Sequence, residues 1–171
     1  AFKELKSEFP VQVTALKVLA LTGCRRSEIL KLTWGEVRGN RLQLTDSKTG
    51  PRTVWIGDEV RELIANLPRK PGQKRVFAFE GMSDLTASVS YVWRRVREHS
   101  NLNHVRLHDL RHSFASHAAA MSETLPMISK LLGHASVQST ARYAHLDDGS
   151  VLEAADRIGD LVDNVVYNAR N

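Results

Sequence analysis

The sequence predicts an α+β fold that is mainly α-helical, a helical domain with a small antiparallel β-sheet or hairpin near its N-terminal third. Two observations carry this. Apolar residues recur at helical spacing over most of the chain, and a single segment, "RLQLTDSKTGPRTVWIGD", alternates with period two around a turn-forming "DSKTGP". No internal repeat or low-complexity stretch suggests a solenoid, and 171 residues suit one domain with a sizeable core.

In chain order, Pro10 followed by "VQVTALKVLALTG" reads as a helix, because proline suits the first turn and Gly23 suits a break. A second helix is expected through "RRSEILKLTW", with Ile29, Leu30 and Leu32 facing inward. The hairpin comes next, with Leu42, Leu44, Val54 and Ile56 on one face. "EVRELIANL" returns to helix, and "PRKPGQKR" is a Pro/Gly/basic connector before the short apolar run "VFAF". Leu85, Val89, Val92 and Val96 mark a helix over 84–98, surrounded by Arg94, Arg95 and Arg97. Leu107, Leu110, Phe114 and Ala118 form the stripe of the next helix, and "LPMISKLLGH" reads as a short helix stopped at Gly133. "SVQSTARYAHL" is expected to be another short helix with Ser136 as its N-cap. A Ser150-x-x-Glu153 capping box opens a final amphipathic helix through Leu152, Ala155, Ile158 and Val162.

Bulk properties narrow the partners. Hydrophobic residues make up 42% and charged residues 25%, ordinary for a globular chain, and no membrane-spanning or secretory segment is expected. Cys24 is the one cysteine, so no intrachain disulfide can form, which favours a reducing, cytosolic setting. Net charge is +5 and the pI about 9.6, a surplus that suits a polyanion such as nucleic acid.

The stretch "HDLRHSFASH" gathers three histidines and an arginine into ten residues. His108 and His112 have the i, i+4 spacing of helical zinc ligands. That motif needs a glutamate after the first histidine; here the neighbour is Asp109, and Arg111 would set a fixed positive charge beside the cation. No metal or cofactor is therefore expected. His108 and Arg111, three apart, share a helix face beside the apolar stripe, which suits an anion. A His-x-x-Arg pair arises by chance about once in a chain with seven histidines, so it decides nothing by itself. His112, His117, His99, His104 and His145 read as packed or solvated.

The ordered set around the pair is more specific. "TGCRRSEI" carries Arg25 and Glu28 at a helix start, "SKTG" puts Lys48 at the hairpin tip, "LGH" gives His134, and "TARYAHL" gives Tyr143. Arg, Lys, His-x-x-Arg, Leu-Gly-His, then Tyr in this order strongly resembles the catalytic domain of the tyrosine recombinases, the phage integrase family. The resemblance spans roughly residues 9 to 148. It implies attack of the Tyr143 hydroxyl on a DNA phosphodiester, giving a 3′-phosphotyrosyl link and a 5′-hydroxyl, without metal or ATP. Arg25 and Arg111 would clamp the nonbridging oxygens with planar, permanently charged donors, and His134 would add a hydrogen bond. His108 would move a proton at the tyrosine side, Lys48 would protonate the leaving 5′-oxygen, and Glu28, one turn from Arg25, would orient the site. Cys24 stands where many relatives have leucine. Tyr91 and Tyr167 lack the surrounding block.

The partner implied is double-stranded DNA, with a tetramer on DNA, a monomer in solution, and a bacterial or phage-encoded cytoplasmic setting. Arg26, Arg69, Lys70, Lys74, Arg75, Arg94 and Arg95 are candidate DNA contacts. The chain is expected to be one catalytic domain, with a core over 1–148 and an amphipathic tail over 149–171, and without the helical core-binding domain that precedes it in the family. Two rivals stand beside this. One is a non-enzymatic regulator, since "MISKLLGHASVQSTARYAHL" also suits a helix-turn-helix. The other is a type IB topoisomerase-like enzyme with the same chemistry.

Overall fold

The computed structural model describes residues 2–48, 50–78, 84–134, 137–147, 155 and 158–159. The expected architecture is present: seven α-helices and one three-stranded antiparallel sheet among the described residues up to 147. None of the helices is long and apolar enough to cross a membrane.

The first helix, α1 (Phe2–Glu8), lies ahead of the predicted elements, and its last turn runs directly toward α2 (Pro10–Thr22). Helix α2 begins at Pro10 and ends at Gly23, whose φ of +60° closes the helix in the left-handed conformation that glycine adopts without strain. Val13, Ala15, Leu16 and Val18 on α2 are wholly buried, so this helix is apolar nearly all round and sits at the centre of the main core. Burial of each such valine or leucine contributes about 1.5–3 kcal/mol. Around α2 pack α4 (Asp58–Ala65), α5 (Leu85–His99) and α6 (Asp109–Ala120). On α5 the predicted stripe is the buried one, joined by Trp93, and Asp84 caps its N-terminus by accepting from the Thr86 and Ala87 amides.

The predicted second helix is shorter than its sequence pattern. Helix α3 (Arg26–Leu30) stops because the chain beyond it pairs elsewhere. The Val76 amide donates to the Leu32 carbonyl, and the Trp34 amide to the Lys74 carbonyl, making a bridge between Thr33 and Arg75. Glu36 then takes the Thr33 amide and hydroxyl, each at 2.9 Å, and holds a 3₁₀ turn over Trp34–Glu36. Ile29, Leu30 and Leu32 are nevertheless all buried, as the pattern required, and the bridge seats Val76 and Phe77 in the core.

The sheet runs β1 (Val37–Arg38), β2 (Arg41–Leu44), β3 (Arg52–Trp55) in that order. Leu42 pairs with Val54 and Leu44 with Arg52, so Leu42, Leu44 and Val54 enter the core. β1 was not expected, because two residues carry no period.

On α6 the fully buried stripe is Arg111, Ala115 and Ala119, one position away from the expected Leu107, Leu110, Phe114 and Ala118. The alanines let the neighbouring chain approach closely, and the larger residues are half-buried flanks. A second, smaller core forms there from Ala115, Ala119, Ile128, Leu132 and Tyr143. Helix α7 (Leu125–Leu132) ends at Gly133, again left-handed at φ +66°. The expected helix over "SVQSTARYAHL" is instead two 3₁₀ segments, Val137–Ser139 and Ala141–Asp147. The Tyr143 amide donates to the Thr140 carbonyl three residues back, and wholly buried Thr140 turns its side chain toward His134. A helix-turn-helix is thus not formed by α7 and these two 3₁₀ segments. Ser136, Ser150, Leu152, Glu153 and Val162 lie outside the described residues, whereas Ala155 and Ile158 are helical and exposed.

A Cβ at Gly23 would stand 2.6 Å from Phe114 and 2.9 Å from Leu132, whereas one at Gly39 (φ +56°) would meet nothing within 4 Å. Gly23→Ala should therefore cost about 2–4 kcal/mol, strain plus overpacking, against about 1–2 kcal/mol for Gly39→Ala from strain alone. Urea unfolding of the two variants measures the difference.

Candidate active site

Arg111 is the most buried cation among the described residues, 5% exposed in the α6 stripe. Its Nη1 donates to the Gly23 carbonyl at 2.6 Å and its Nη2 to the Leu132 carbonyl at 2.9 Å. Both acceptors sit at helix C-termini, α2 and α7, where carbonyls lack an intrahelical partner and carry the negative end of the dipole. Burial first, then the Arg25 charge, lower its pKa to about 10, so it stays cationic at neutral pH.

Arg25 is the N-cap of α3, and Glu28 closes a capping box with it: the Arg25 amide donates to Glu28 Oε2 at 2.8 Å. Arg25 Nη1 pairs with Glu28 Oε1 at 2.8 Å, and Nη2 reaches the Gly133 carbonyl at 3.3 Å. Arg52, on β3, completes the group. Its Nη2 pairs with Glu28 Oε2 at 2.9 Å and its Nη1 donates to the Leu131 carbonyl at 3.2 Å. Burial pushes the Glu28 carboxyl up, but the bonds from Arg52 and Arg25 outweigh it and hold the group below its ordinary value. One carboxylate thus pairs with two arginines, Arg25 and Arg52, beside the buried Arg111, and the surplus is positive.

Arg25, Arg26, His108 and Arg111 line one cleft of about 390 Å³, with Cys24, Ser27 and three leucines. His108 stands at the entrance to α6, exposed, and its pKa is lowered by desolvation, then by His112 and Arg111. His134 comes directly after Gly133. Its Nδ1 is 2.8 Å from the Thr140 hydroxyl, and burial, then Arg111 and Arg25, press its pKa down to about 4. The ring is neutral at pH 7, and in the tautomer in which Thr140 donates to Nδ1 its Nε2–H is a donor.

Tyr143 is 5% exposed, held in the second core by its ring. Burial raises its pKa, against the opposing charges of Arg142 and Arg111. Its hydroxyl lies 2.7 Å from His112 Nδ1. It is His112, not His108, that meets the hydroxyl; His108 stands edge-on to the His112 ring, centroids 5.1 Å apart at 88°. Lys48 is exposed in the turn between β2 and β3, and its side chain makes no hydrogen bond or ion pair among the described residues.

The structure therefore brings Arg25, Glu28, Arg111 and His134 together, sets His108 on the same cleft, and leaves Lys48 at the surface. Sequence reasoning passed over Arg52 and His112. Arg52 carries no local signal, since a strand arginine beside a turn looks like a surface charge. His112 was readable only as a neighbour of Arg111. Among the candidate DNA contacts, Arg26 is exposed at the cleft. Arg69 lies over the Trp34 ring at 5.1 Å, and with Lys70 and Lys74 lines a separate cleft beside Trp34; Arg75 is exposed at the bridge to Thr33. Arg94 and Arg95 both lie on Tyr91, at 5.3 and 5.9 Å from its ring.

Such a fold and cluster define a class: the chain belongs to the phage integrase family, whose family model it matches over residues 6–150. It is 31% identical over 150 residues to a tyrosine recombinase XerD of Chlamydia pneumoniae, covering 81% of this chain and 49% of that protein. It is also 31% identical over 147 residues to the integrase of Haemophilus phage HP1, covering 85% of this chain and 40% of that one. The solved catalytic domain of bacteriophage HP1 integrase superimposes with a TM-score of 0.66 at 29% identity, over 85% of this chain and 80% of that one. The chain spans about half the length of the first curated relatives it matches.

Two measurements check this electrostatic arrangement. A double-mutant cycle of Arg52→Met with Glu28→Gln should give a coupling on the order of 1–3 kcal/mol, far above that of an exposed pair. The depressed pKa of His134 also has a signature. As pH falls below the ordinary value of 6.5, the unfolded chain takes the proton first, so stability is lost between pH 6.5 and about 4. Glu28 contributes only below its ordinary 4.5. His134→Gln should flatten the pH dependence of the urea midpoint in the upper part of that window.

Proposed function

We propose that this domain cleaves and rejoins DNA at specific sites, with Tyr143 as nucleophile and a 3′-phosphotyrosyl intermediate. The observation that carries the reading is the cationic cleft: Arg25 and Arg111, locked by helix-end carbonyls and Glu28, face one space with His108. A phosphodiester in attack gathers charge on its nonbridging oxygens, and donors held in place beforehand stabilise that charge without reorganising. Arginine suits the task because it stays charged and binds oxygens in pairs. Arg111 spends two donors on carbonyls and keeps further N–H groups for the phosphate. His134, neutral, adds a hydrogen bond without adding charge, and Glu28 orients Arg25.

The covalent intermediate conserves the bond energy, so neither ATP nor a metal is needed for rejoining. Lys48 acts as general acid to the departing 5′-oxygen; its place at a hairpin tip lets it fold over bound DNA. The partner is double-stranded DNA, held on phosphates by Arg26 and by the Arg69–Arg75 connector, with Arg94 and Arg95 on α5 as further contacts. Two strand exchanges between duplexes require four active sites, so the working form is a tetramer assembled on DNA from monomers, in a bacterial cytoplasm. Residues 1–148 form the catalytic core and 149–171 its tail.

A type IB topoisomerase would use the same chemistry but relax supercoils without exchanging strands. A simple regulator has no use for a tyrosine beside buried arginines.

Covalent capture tests the reading. Mixed with nicked duplexes tiled from host DNA, the protein should form SDS-resistant adducts on a defined sequence, and Tyr143→Phe should abolish them. Arg111→Ala should slow adduct formation by about 10²–10³-fold. Adducts that persist in Tyr143→Phe would mean another nucleophile, and DNA binding with no adduct from the wild-type chain would favour the regulator.

A further inference from the structure

A phenol with its ordinary pKa near 10 is only about 0.1% ionised at pH 7, and burial makes Tyr143 harder still to ionise. Attack by its oxygen therefore needs a proton acceptor within hydrogen-bond reach. The tyrosine packs in a cluster with Ala115, Ala119, Ile128 and Leu132, and one side chain bonds to its hydroxyl among the described residues. His112 Nδ1 lies 2.7 Å from Tyr143 Oη, with ring centroids 6.3 Å apart and planes tilted by 44°. The pair joins residues 31 apart in sequence, from α6 to the last 3₁₀ segment.

We propose that His112 is a catalytic residue of this domain, the base that takes the Tyr143 proton as its oxygen attacks and returns it on rejoining. The inference rests on the strand-transfer reading and names the proton acceptor within it. In cleavage the Oη–H bond breaks toward His112 Nδ1 while the Oη–P bond forms. The P–O5′ bond breaks, and the 5′-oxygen takes a proton from Lys48. In rejoining, the 5′-hydroxyl of the incoming strand attacks phosphorus and its proton passes to Lys48. The phenolate then leaves phosphorus and recovers its proton from His112. No proton, electron or co-reactant is consumed over the cycle.

His112 is suited to this by its surroundings. It must be neutral with its own proton on Nε2. Burial, followed by the Arg142 charge from the facing segment, lowers its pKa, and Arg106 and Arg111 act in the same sense. Asp109 opposes them, and His108 faces the ring edge-on. Arg142 thus adds to burial in disfavouring the charged form of His112 and also favours the tyrosinate as it forms. Residues 111 and 112 are about 100° apart around a helix of 3.6 residues per turn. Adjacent positions on α6 therefore address different ends of the reaction, Arg111 the phosphate and His112 the nucleophile.

Two measurements on the full chain test it. The first needs no substrate: nitrogen NMR of the histidines in the free protein should show neutral His112 protonated on Nε2, with Nδ1 accepting from Tyr143. Tyr143→Phe should shift the His112 Nδ1 resonance and leave His117 unmoved. A neutral His112 protonated on Nδ1 would overturn the proposal. The second is single-turnover adduct formation, from pH 5 to 9, on the duplex captured by the wild-type protein. His112→Gln keeps a hydrogen-bonding group but cannot take the proton at neutral pH. It should slow adduct formation by about 10²–10⁴-fold with DNA binding unchanged, and abolish the rise in rate as His112 deprotonates. His112→Ala should do the same. A Gln variant within threefold of wild type would make His112 a support for the tyrosine ring only, and a faster Ala variant would make it a restraint; either overturns the proposal and leaves strand transfer intact. If the wild-type chain forms no adduct on any duplex, both readings fall.

Discussion

The buried guanidinium of Arg111 is the constraint on which the rest of the molecule turns. It ties the end of α2 to the end of α7 through two carbonyls, Gly23 and Leu132, that helix geometry leaves without partners. Taking a charge out of water is costly unless every side of it is satisfied, and helix-end carbonyls supply acceptors with the right sign of dipole. The same demand explains the two glycines. Both Gly23 and Gly133 close their helices left-handed, and both lie where a Cβ would collide, against Phe114 and against Arg52. Their carbonyls accept from Arg111 and Arg25. Helix termination and construction of the site are one event.

Three arginines gathered round one carboxylate, only two of them paired with it, would be a poor way to stabilise a fold. Arg25 and Arg52 pair with Glu28, and Arg111 beside them is held by carbonyl dipoles, which soften the repulsion without cancelling it. The surplus adds to burial in lowering the pKa of His134, which is held neutral. A cluster kept net positive at a cost in stability is what an anionic transition state requires, and the fold meets that cost in the main core around α2.

The two apolar cores divide the labour. The first, built round α2, α5 and the sheet, carries most of the buried side chains. The second is small and holds the tyrosine ring among alanines and two larger aliphatics. Helix α6 spans both, so the cleft-lining Arg111 and the tyrosine-facing His112 share one rigid element. Lys48, by contrast, is exposed on the turn between β2 and β3.

Period and punctuation were enough to read the helices α2, α4, α5, α6 and α7, the hairpin pairing Leu42 with Val54, and the stop at Gly133. Those signals are local, set by which face of a helix or strand must leave water and by where the chain can turn. The order of Arg25, Glu28, Lys48, His108, Arg111, His134 and Tyr143 is a family spacing and so a sequence property; of these the structure gathers Arg25, Glu28, Arg111 and His134, with His108 on the same cleft. Tertiary structure alone decided the early end of α3, since its cause is a backbone bridge to residues 74–76. It decided the 3₁₀ path around Tyr143, which results from the burial of Thr140 and its bond to His134. It also made Arg52 a partner of Glu28, 24 residues away, and His112 the partner of Tyr143, 31 away. Contacts between distant residues depend on how elements dock, and no local pattern records that.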